Sequence, residues 1–570
     1  MHLAILFAAI SPLAWLLPNH YPPWVSAWHE ALALVSVSVA LLATRAGARL
    51  PASWICAIAV GYLSVAGQWL SERNFYGGDA LITALYMTAF GAGLAVGSGL
   101  GKQHHGEQPL VRSNARHLGI EVYSSAVLLA ASASVAIALL QWTGAGSLGI
   151  WQVDMPPGGR PYGNVAQPNH LCTICALGLV ASGLLRQTGR VGFVGFWAAA
   201  LWMILGMVVT SSRTGWIQIA VLAVLAIALS SRAGLVQGRR GAVVLVSVYA
   251  AGILAWPPLN GLMNLDEGRA LGEFAQPGTR WLHWTALADA VTREPFWGYG
   301  WQQVSVAQVR GAELHPFVGE YIEHSHNLVL DLVVWAGLPV GLGMAGLAAY
   351  WFATRLHGCR DGLSAWLLIG VAVLAVHALL EYPLSYAYFL VPLGLMVGAI
   401  DTLQARQGGW QVGLHSQRVA AAGLLLLLGW IGAEYVQAEQ GHRLLRLESA
   451  RIGVPGLQTP PPELRLLTQL GAFQRFAHTQ AAAGMSNQQL EDMRRVSERF
   501  AYPPSMFRYA LAQGLNGQPD GAALTLLRLC RIHPRPRCDE GREAWAGLQQ
   551  SHAALRDIAF PSDIKVHELK

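Results

Sequence analysis

Thirteen apolar stretches, most of them close to the ~20 residues a helix needs to cross a bilayer's hydrocarbon, leave this chain few ways to fold. They run over 2–18, 30–47, 51–70, 79–100, 121–142, 168–186, 191–210, 214–231, 241–257, 327–353, 363–380, 384–401 and 418–436. A soluble domain carries about 25% charged residues, and this chain carries 12%. The 21 Trp suit a protein with two membrane interfaces to line. The expected fold is all-α and polytopic, with about 13 transmembrane helices.

Basic residues set the sidedness, because positive loops stay in the cytoplasm. Alternate loops hold Arg45 and Arg49; Lys102, Arg112 and Arg116; Arg186 and Arg190; Arg232, Arg239 and Arg240; Arg355 and Arg360; and Arg406 and Arg418. The opposite short loops hold Arg73, Arg160 and Arg213. The N-terminus is therefore expected inside, and odd-numbered spans end outside. The start, MHLAILFAAISPLAWLLP, has no basic n-region and no clear cleavage site, so it reads as an uncleaved first span. Four parts follow: N-terminal transmembrane helices over 1–257, a large outer loop over 258–326, C-terminal transmembrane helices over 327–436, and an outer helical domain over 437–570.

Within that last part, PPSMFRYALAQGLNGQPDGAALTLLRLCRIHP reads as helix, turn and helix: one unit of a tetratricopeptide-like repeat, or a plain helical cap. Cys172 and Cys175 form a C-x-x-C inside an apolar segment and read as small packing residues. Cys530 and Cys538 can form a disulfide if the tail lies outside the cytoplasm. The net charge of +6 is first a topology signal, with membrane lipids as the implied anionic neighbours. No basic block with interleaved aromatics points to nucleic acid.

The polar motifs fall on the outer ends of the spans. NHYPPW, Asn19 to Trp24, with Glu30 after it, reads as an interfacial loop. RPYGNVAQPNH leads into the sixth span. Pro168 forces Gln167 into extended geometry, which leaves Gln167, Asn169 and His170 at a helix mouth suited to an anion. SSRTGW places Arg213 in a short turn, where it marks a site or reaches for lipid phosphate. The long loop carries Arg280 and His283 in GTRWLHW, and closes on Glu323, His324, Ser325, His326 and Asn327. His-x-His without a further carboxylate or Cys at ligand spacing suits a general base better than a metal site. HALLEYPLSY places Glu381 and Tyr382 on the same side, whereas His104 and His105 fall in an inner loop.

No DxD-like carboxylate pair accompanies these groups, and nucleotide sugars are scarce outside the cytoplasm. A lipid diphosphate is available there. Arg213 and Arg280 could neutralise a departing pyrophosphate, and a His could orient or deprotonate an acceptor hydroxyl. The set suits metal-independent glycan transfer, with no cofactor. A transporter would place ionisable groups near the bilayer midplane, where Glu121 and His377 are the exceptions to an otherwise apolar interior.

In their order and common sidedness, NHYPPW, GNVAQPNH, SSRTGW, HSHN followed by Gly-Leu-Pro, and EYPL resemble the bacterial protein O-oligosaccharyltransferases (pilin glycosylases) of the O-antigen ligase and polymerase superfamily. The resemblance implies a GT-C-like inner-membrane enzyme with its active site facing the periplasm. Its donor would be an undecaprenyl-diphosphate-linked oligosaccharide and its acceptor a Ser or Thr of a pilin-like protein. A ligase acting on lipid A–core, or a polymerase, is the neighbouring alternative. By motif, His326 corresponds to the essential histidine, and Gln167 and Tyr382 to further activity-critical positions. Arg213 and Arg280 correspond to diphosphate contacts, with Arg160 and Arg293 as competitors. Asn169, His170, His324 and Asn327 complete the substrate-binding set. Many relatives carry an acid after HxHN, in LxxExG; here Trp335 stands in its place and Asp331 precedes it.

Overall fold

The computed structural model describes residues 2–101, 117–262, 280–404, 409–450, 452 and 460–561. Lys102, His104, His105, Arg112, Arg116, Arg406 and the 263–279 part of the long loop lie outside the described residues.

In chain order the helices are α1 (His2–Ile10), α2 (Ala27–Leu42), α3 (Ala52–Leu70), α4 (Gly77–Leu100), α5 (Leu118–Thr143), α6 (Pro168–Gln187), α7 (Phe193–Val209), α8 (Arg213–Leu229), α9 (Gly238–Leu262) and α10 (Arg280–Arg293). Then come α11 (Val304–Gly311), α12 (Leu328–Gly358), α13 (Gly362–Ala378), α14 (Ala387–Leu403), α15 (Leu414–Ser449), α16 (Thr468–His478), α17 (Asn487–Arg499), α18 (Pro503–Leu515), α19 (Pro519–Ile532) and α20 (Arg535–Ser551). Every apolar stretch expected from the sequence is helical. Among the described residues seven helices are long and apolar enough to cross a membrane, and the remaining stretches form shorter apolar helices. The ninth differs from expectation. It runs through Pro257 and Pro258 to Leu262, because its last turn is tied down: Trp142 Nε1 donates to Asn260 Oδ1 at 2.7 Å and stacks on Trp256. The 258–326 segment is likewise no open loop, since it carries α10 and α11.

The chain forms two compact units. The first comprises Met1–Ala59, Leu85–Gln276 and Gly346–Gly432. At its centre is α6, apolar all round and buried along most of its length, as a helix without a polar face must be. It packs on α5, α7, α8 and α13. Cys172 and Cys175 are fully buried in it, as packing residues should be. α4 and α14 meet backbone to backbone, because a Cβ at Gly97 or Gly398 would overlap a carbonyl of the facing helix. At one end the basic loops converge. Ala48–Leu50 pairs antiparallel with Trp410–Val412, Arg232 donates to Leu356 O, and Arg190 pairs with Glu121 at 2.7 Å. Glu121 is thus part of that brace.

The second unit comprises Val60–Ala84, Pro277–Ala345 and Ala433–Lys570. α12 breaks inside it: Gly337 has φ +78°, open to glycine without strain. The Glu294–Gly300 turn fills the break, with Leu338 N–H donating to Pro295 O at 2.7 Å and Tyr299 N–H to Val334 O at 2.8 Å. In the tail, successive helices pack from α16 through α20. α18 and α19 form the expected helix, turn and helix. Cys530 and Cys538 are joined by a disulfide between α19 and α20. The tail is built onto the turn after α3 and onto the long loop. Arg499 binds Asp79, Arg495 binds Glu72, and Arg528 binds Glu313.

Candidate functional site

The motif residues gather in two clusters, one in each unit. In the first unit, Gln167 is extended at φ −148°, as Pro168 demands, and it caps α6 by accepting the N–H of His170 at 2.8 Å. Because Gln167 supplies the cap, Asn169 is left to reach outward. Asn169 Nδ2 donates to Glu381 Oε1 at 3.0 Å, and Ser212 Oγ donates to Asn169 Oδ1 at 2.6 Å. One side chain thereby joins QPNH to SSRTGW and EYPL, and sets Arg213, the first residue of α8, beside the mouth of α6.

Beneath this layer lies a buried one. His170 is 2% exposed, with Nδ1 3.1 Å from the Tyr388 hydroxyl. Its ring packs against His377 and Tyr386. His377 Nδ1 meets Thr173 Oγ1 at 2.8 Å. Tyr382 stacks on Tyr386. The NHYPPW element closes the group: His29 lies against Tyr388 and His20, and Glu30 accepts the Ala387 N–H that opens α14. Burial holds the His20 imidazole below its ordinary pKa.

In the second unit, the loop before α12 carries EHSHN. His326 has φ +59°, a left-handed conformation uncommon outside glycine. Asn327 then caps α12, its Oδ1 accepting Val329 and Leu330 N–H. Asp331 Oδ1 accepts the Ser325 N–H at 2.7 Å, and Asp331 Oδ2 stands 3.6 Å from His324 Nδ1. Trp284 Nε1, one turn into α10 from Arg280, donates to Ser325 O at 2.7 Å. The loop is therefore gripped from both helices that flank it.

Five non-glycine residues among those described have positive φ: Glu72, Ala166, Ser211, Gln302 and His326. Three of them fall in the motifs, at Ala166, Ser211 and His326. Backbone strain of this kind costs on the order of 1–3 kcal/mol and tends to collect at functional sites. Its placement marks QPNH, SSRTGW and HSHN independently of their side chains.

The family described as "Protein glycosylation ligase" matches residues 161–185, "O-Antigen ligase" matches 198–345, and "Virulence factor membrane-bound polymerase, C-terminal" matches 364–544. The chain is 26% identical over 547 residues to the "General O-oligosaccharyltransferase" of Acinetobacter baylyi, covering 94% of this chain and 93% of that one. It is also 29% identical over 281 residues to that organism's "ComP-specific O-oligosaccharyltransferase", covering 48% of this chain and 49% of the relative. Over nearly its whole length the chain is similar to the protein O-oligosaccharyltransferases of the O-antigen ligase superfamily. It is a glycosyltransferase.

Arg160 and Arg293, also weighed for the diphosphate, have protein partners. Arg160 donates to the carbonyls of Thr210 and Ser211, bracing the Ser211 turn. Arg293 binds Asp289 and the Arg310 carbonyl. Sequence reasoning gathered Arg213, Arg280, His326, Gln167 and Tyr382 into one set. The first unit holds Gln167, Asn169, His170, Arg213 and Tyr382, and the second holds Arg280, His324, His326 and Asn327 between the starts of α10 and α12. Glu381 was named only as part of EYPL, and Tyr386 and Tyr388 were not named. Their signal was a run of polar aromatics, Tyr382 to Tyr388, behind a lone acid. Among the described residues no group of three or more His, Cys, Asp or Glu is arranged to hold a metal.

Proposed function

We propose that this enzyme moves an oligosaccharide en bloc from undecaprenyl diphosphate to a Ser or Thr hydroxyl of a pilin-like protein, without metal or cofactor. The observation that carries this reading is the match to the "General O-oligosaccharyltransferase" over 94% of the chain.

In the proposed reaction Arg213 and Arg280 take the roles their motifs imply, as counter-charges to the diphosphate, since planar guanidiniums fit phosphate oxygens in pairs. His326 accepts the proton of the acceptor hydroxyl as that oxygen attacks the anomeric carbon. The bond from that carbon to the diphosphate oxygen breaks, and lipid diphosphate departs with the bonding pair, stabilised by the arginines. A single displacement inverts the anomeric configuration. Gln167 and Tyr382 are the further activity-critical positions, Asn169, His170, His324 and Asn327 are assigned to substrate binding, and His170 is held in place by Tyr388.

All thirteen apolar helices span the membrane in this reading, with about a dozen and a half residues enough where a helix is short and the bilayer thins. The arginine-rich loops face the cytoplasm, so both clusters and the 437–570 domain face the periplasm of a bacterial inner membrane. The Cys530–Cys538 disulfide supports that side, since disulfides persist in oxidising compartments.

The test is purified protein in detergent with undecaprenyl-diphosphate glycan and EDTA, offered either a pilin-like protein or lipid A–core. Glycosylated protein that is lost in His326→Ala establishes the reading. Glycan on lipid A–core alone would make the enzyme a ligase, an outcome the "O-Antigen ligase" match keeps in view. Transfer to neither acceptor overturns both.

A further inference from the structure

Gln68 lies in the last turn of α3, a helix otherwise made of apolar and small residues in this region, and it is 2% exposed. Its carboxamide is used on both sides. Nε2 donates to Trp297 O at 2.6 Å and to Trp335 O at 2.8 Å, while Oε1 accepts the N–H of Trp301 at 3.2 Å. Both amide protons are therefore spent.

The Trp335 carbonyl needs such a donor. In an unbroken helix it would accept from residue 339, four positions on. That residue is Pro339, which has no N–H. The carbonyl before it, on Val334, would accept from Leu338, whose N–H is turned instead to Pro295 O. The break at Gly337 thus frees two carbonyls at the depth where α3 ends. Tyr299 N–H takes Val334 O; Gly300 N–H at 3.1 Å and Gln68 together take Trp335 O. Non-helical backbone near lipid persists only where its polar groups are re-satisfied in this way. Gln68 reaches both partners: it holds the end of the short helix Leu328–Ala336, and through Trp297 and Trp301 it holds the turn that fills the break.

At the other end of that short helix stands EHSHN. We infer that Gln68 is a positioning residue for transfer: by locking the break in α12 it fixes the direction of Leu328–Ala336, and so the place of His326 one residue before the cap. The inference rests on the assignment of the proton-accepting role to His326.

Gln68→Leu fills similar space and removes all three bonds. A misplaced catalytic group costs up to ~10²-fold in rate, so the expected result is a kcat lowered about 10- to 100-fold. KM for lipid-linked donor and for acceptor protein should rise by a smaller factor than kcat falls, because Gln167, Asn169, Arg213 and Tyr382 belong to the other cluster and only His324 and Asn327 shift with the helix. Gln68→Glu supplies a pH readout. As a carboxylate it turns an oxygen on two carbonyls; once protonated it offers a donor again. Its rate relative to the unaltered enzyme should climb as pH is lowered from 8 to 6. If Gln68→Leu does not accumulate, this pH ratio carries the test.

Unaltered kcat in Gln68→Leu, a flat pH ratio in Gln68→Glu, or a loss of rate that merely tracks loss of folded protein would each overturn the proposal. Failure of the underlying assignment looks different: His326→Ala would remain active whatever Gln68 does.

Discussion

The side-chain amide of Asn169 donates to the carboxylate of Glu381 at 3.0 Å, joining two residues 212 positions apart at the mouth of α6. Asn169 also accepts from Ser212 at 2.6 Å, so the Glu381 contact settles which way the amide faces and thereby the seat of Arg213. Hydrogen bonds to charged groups contribute about 1.5–3 kcal/mol. Glu381→Ala should therefore lower the transfer rate by about 10- to 100-fold. Glu381→Gln, which keeps an acceptor oxygen, should retain most of it. Initial rates with saturating donor and acceptor decide this, and an alanine variant at full rate would remove Glu381 from the site.

Asp331 offers a second test, because it stands one turn before Trp335, the position where the resembled family often carries an acid. The two positions are four residues apart and share a helix face. Asp331 holds the Ser325 N–H and faces His324, while Trp335 stacks on Trp301 with ring centroids 5.5 Å apart. Asp331→Ala strands a buried N–H, a loss of about 1–3 kcal/mol, and should reduce transfer by at least about tenfold. Adding Trp335→Glu should not restore it, since the new carboxylate enters an aromatic contact rather than the Ser325 turn. Recovery of activity in the double variant would show that the acid can act from either place.

Much of this was legible in the sequence, for physical reasons that also mark where legibility ended. Apolar length is a local quantity, so the helices could be read directly. Pro168 fixes Gln167 through its own ring, so the extended geometry of Gln167 was readable; that Gln167 rather than Asn169 caps α6 was not. The break in α12 was half visible: Gly337 and Pro339 mark a weak point, but what fills it is Gln68 and the Glu294–Gly300 turn, far away in sequence. The clasp of Asn169 by Glu381 and Ser212 is equally long-range. α9 continuing past residue 257 through Pro258 was not legible either, because it goes with a tertiary bond from Trp142 to Asn260.

Arg499 tests how the tail is held. Its guanidinium makes two bonds to Asp79, at 3.0 and 3.1 Å, with both side chains nearly out of water. Its carbonyl accepts from Ser305 Oγ and from Tyr321 OH, two residues before Glu323. Removing one member of a buried pair costs about 3–5 kcal/mol, because the other charge is left behind. Arg499→Met should lower the thermal transition in detergent markedly. Arg499→Met combined with Asp79→Asn should recover a large share of that loss. A double variant as unstable as the sum of the singles would mean the two do not act as a pair.

His533 gives the tail a pH dependence whose sign can be worked out. It is buried beside the disulfide helix pair, with Nε2 2.7 Å from the Ala501 carbonyl, and burial lowers its pKa from the ordinary value near 6.5. The folded state therefore binds fewer protons than the unfolded chain as pH falls through that range. Stability contributed by His533 is fully present above about pH 6.5 and declines below it. His533→Gln keeps a donor for Ala501 and cannot titrate. The thermal transition of the unaltered protein should fall faster between pH 7 and pH 5 than that of the variant. Parallel curves would mean that His533 is solvated enough in the folded protein to protonate freely.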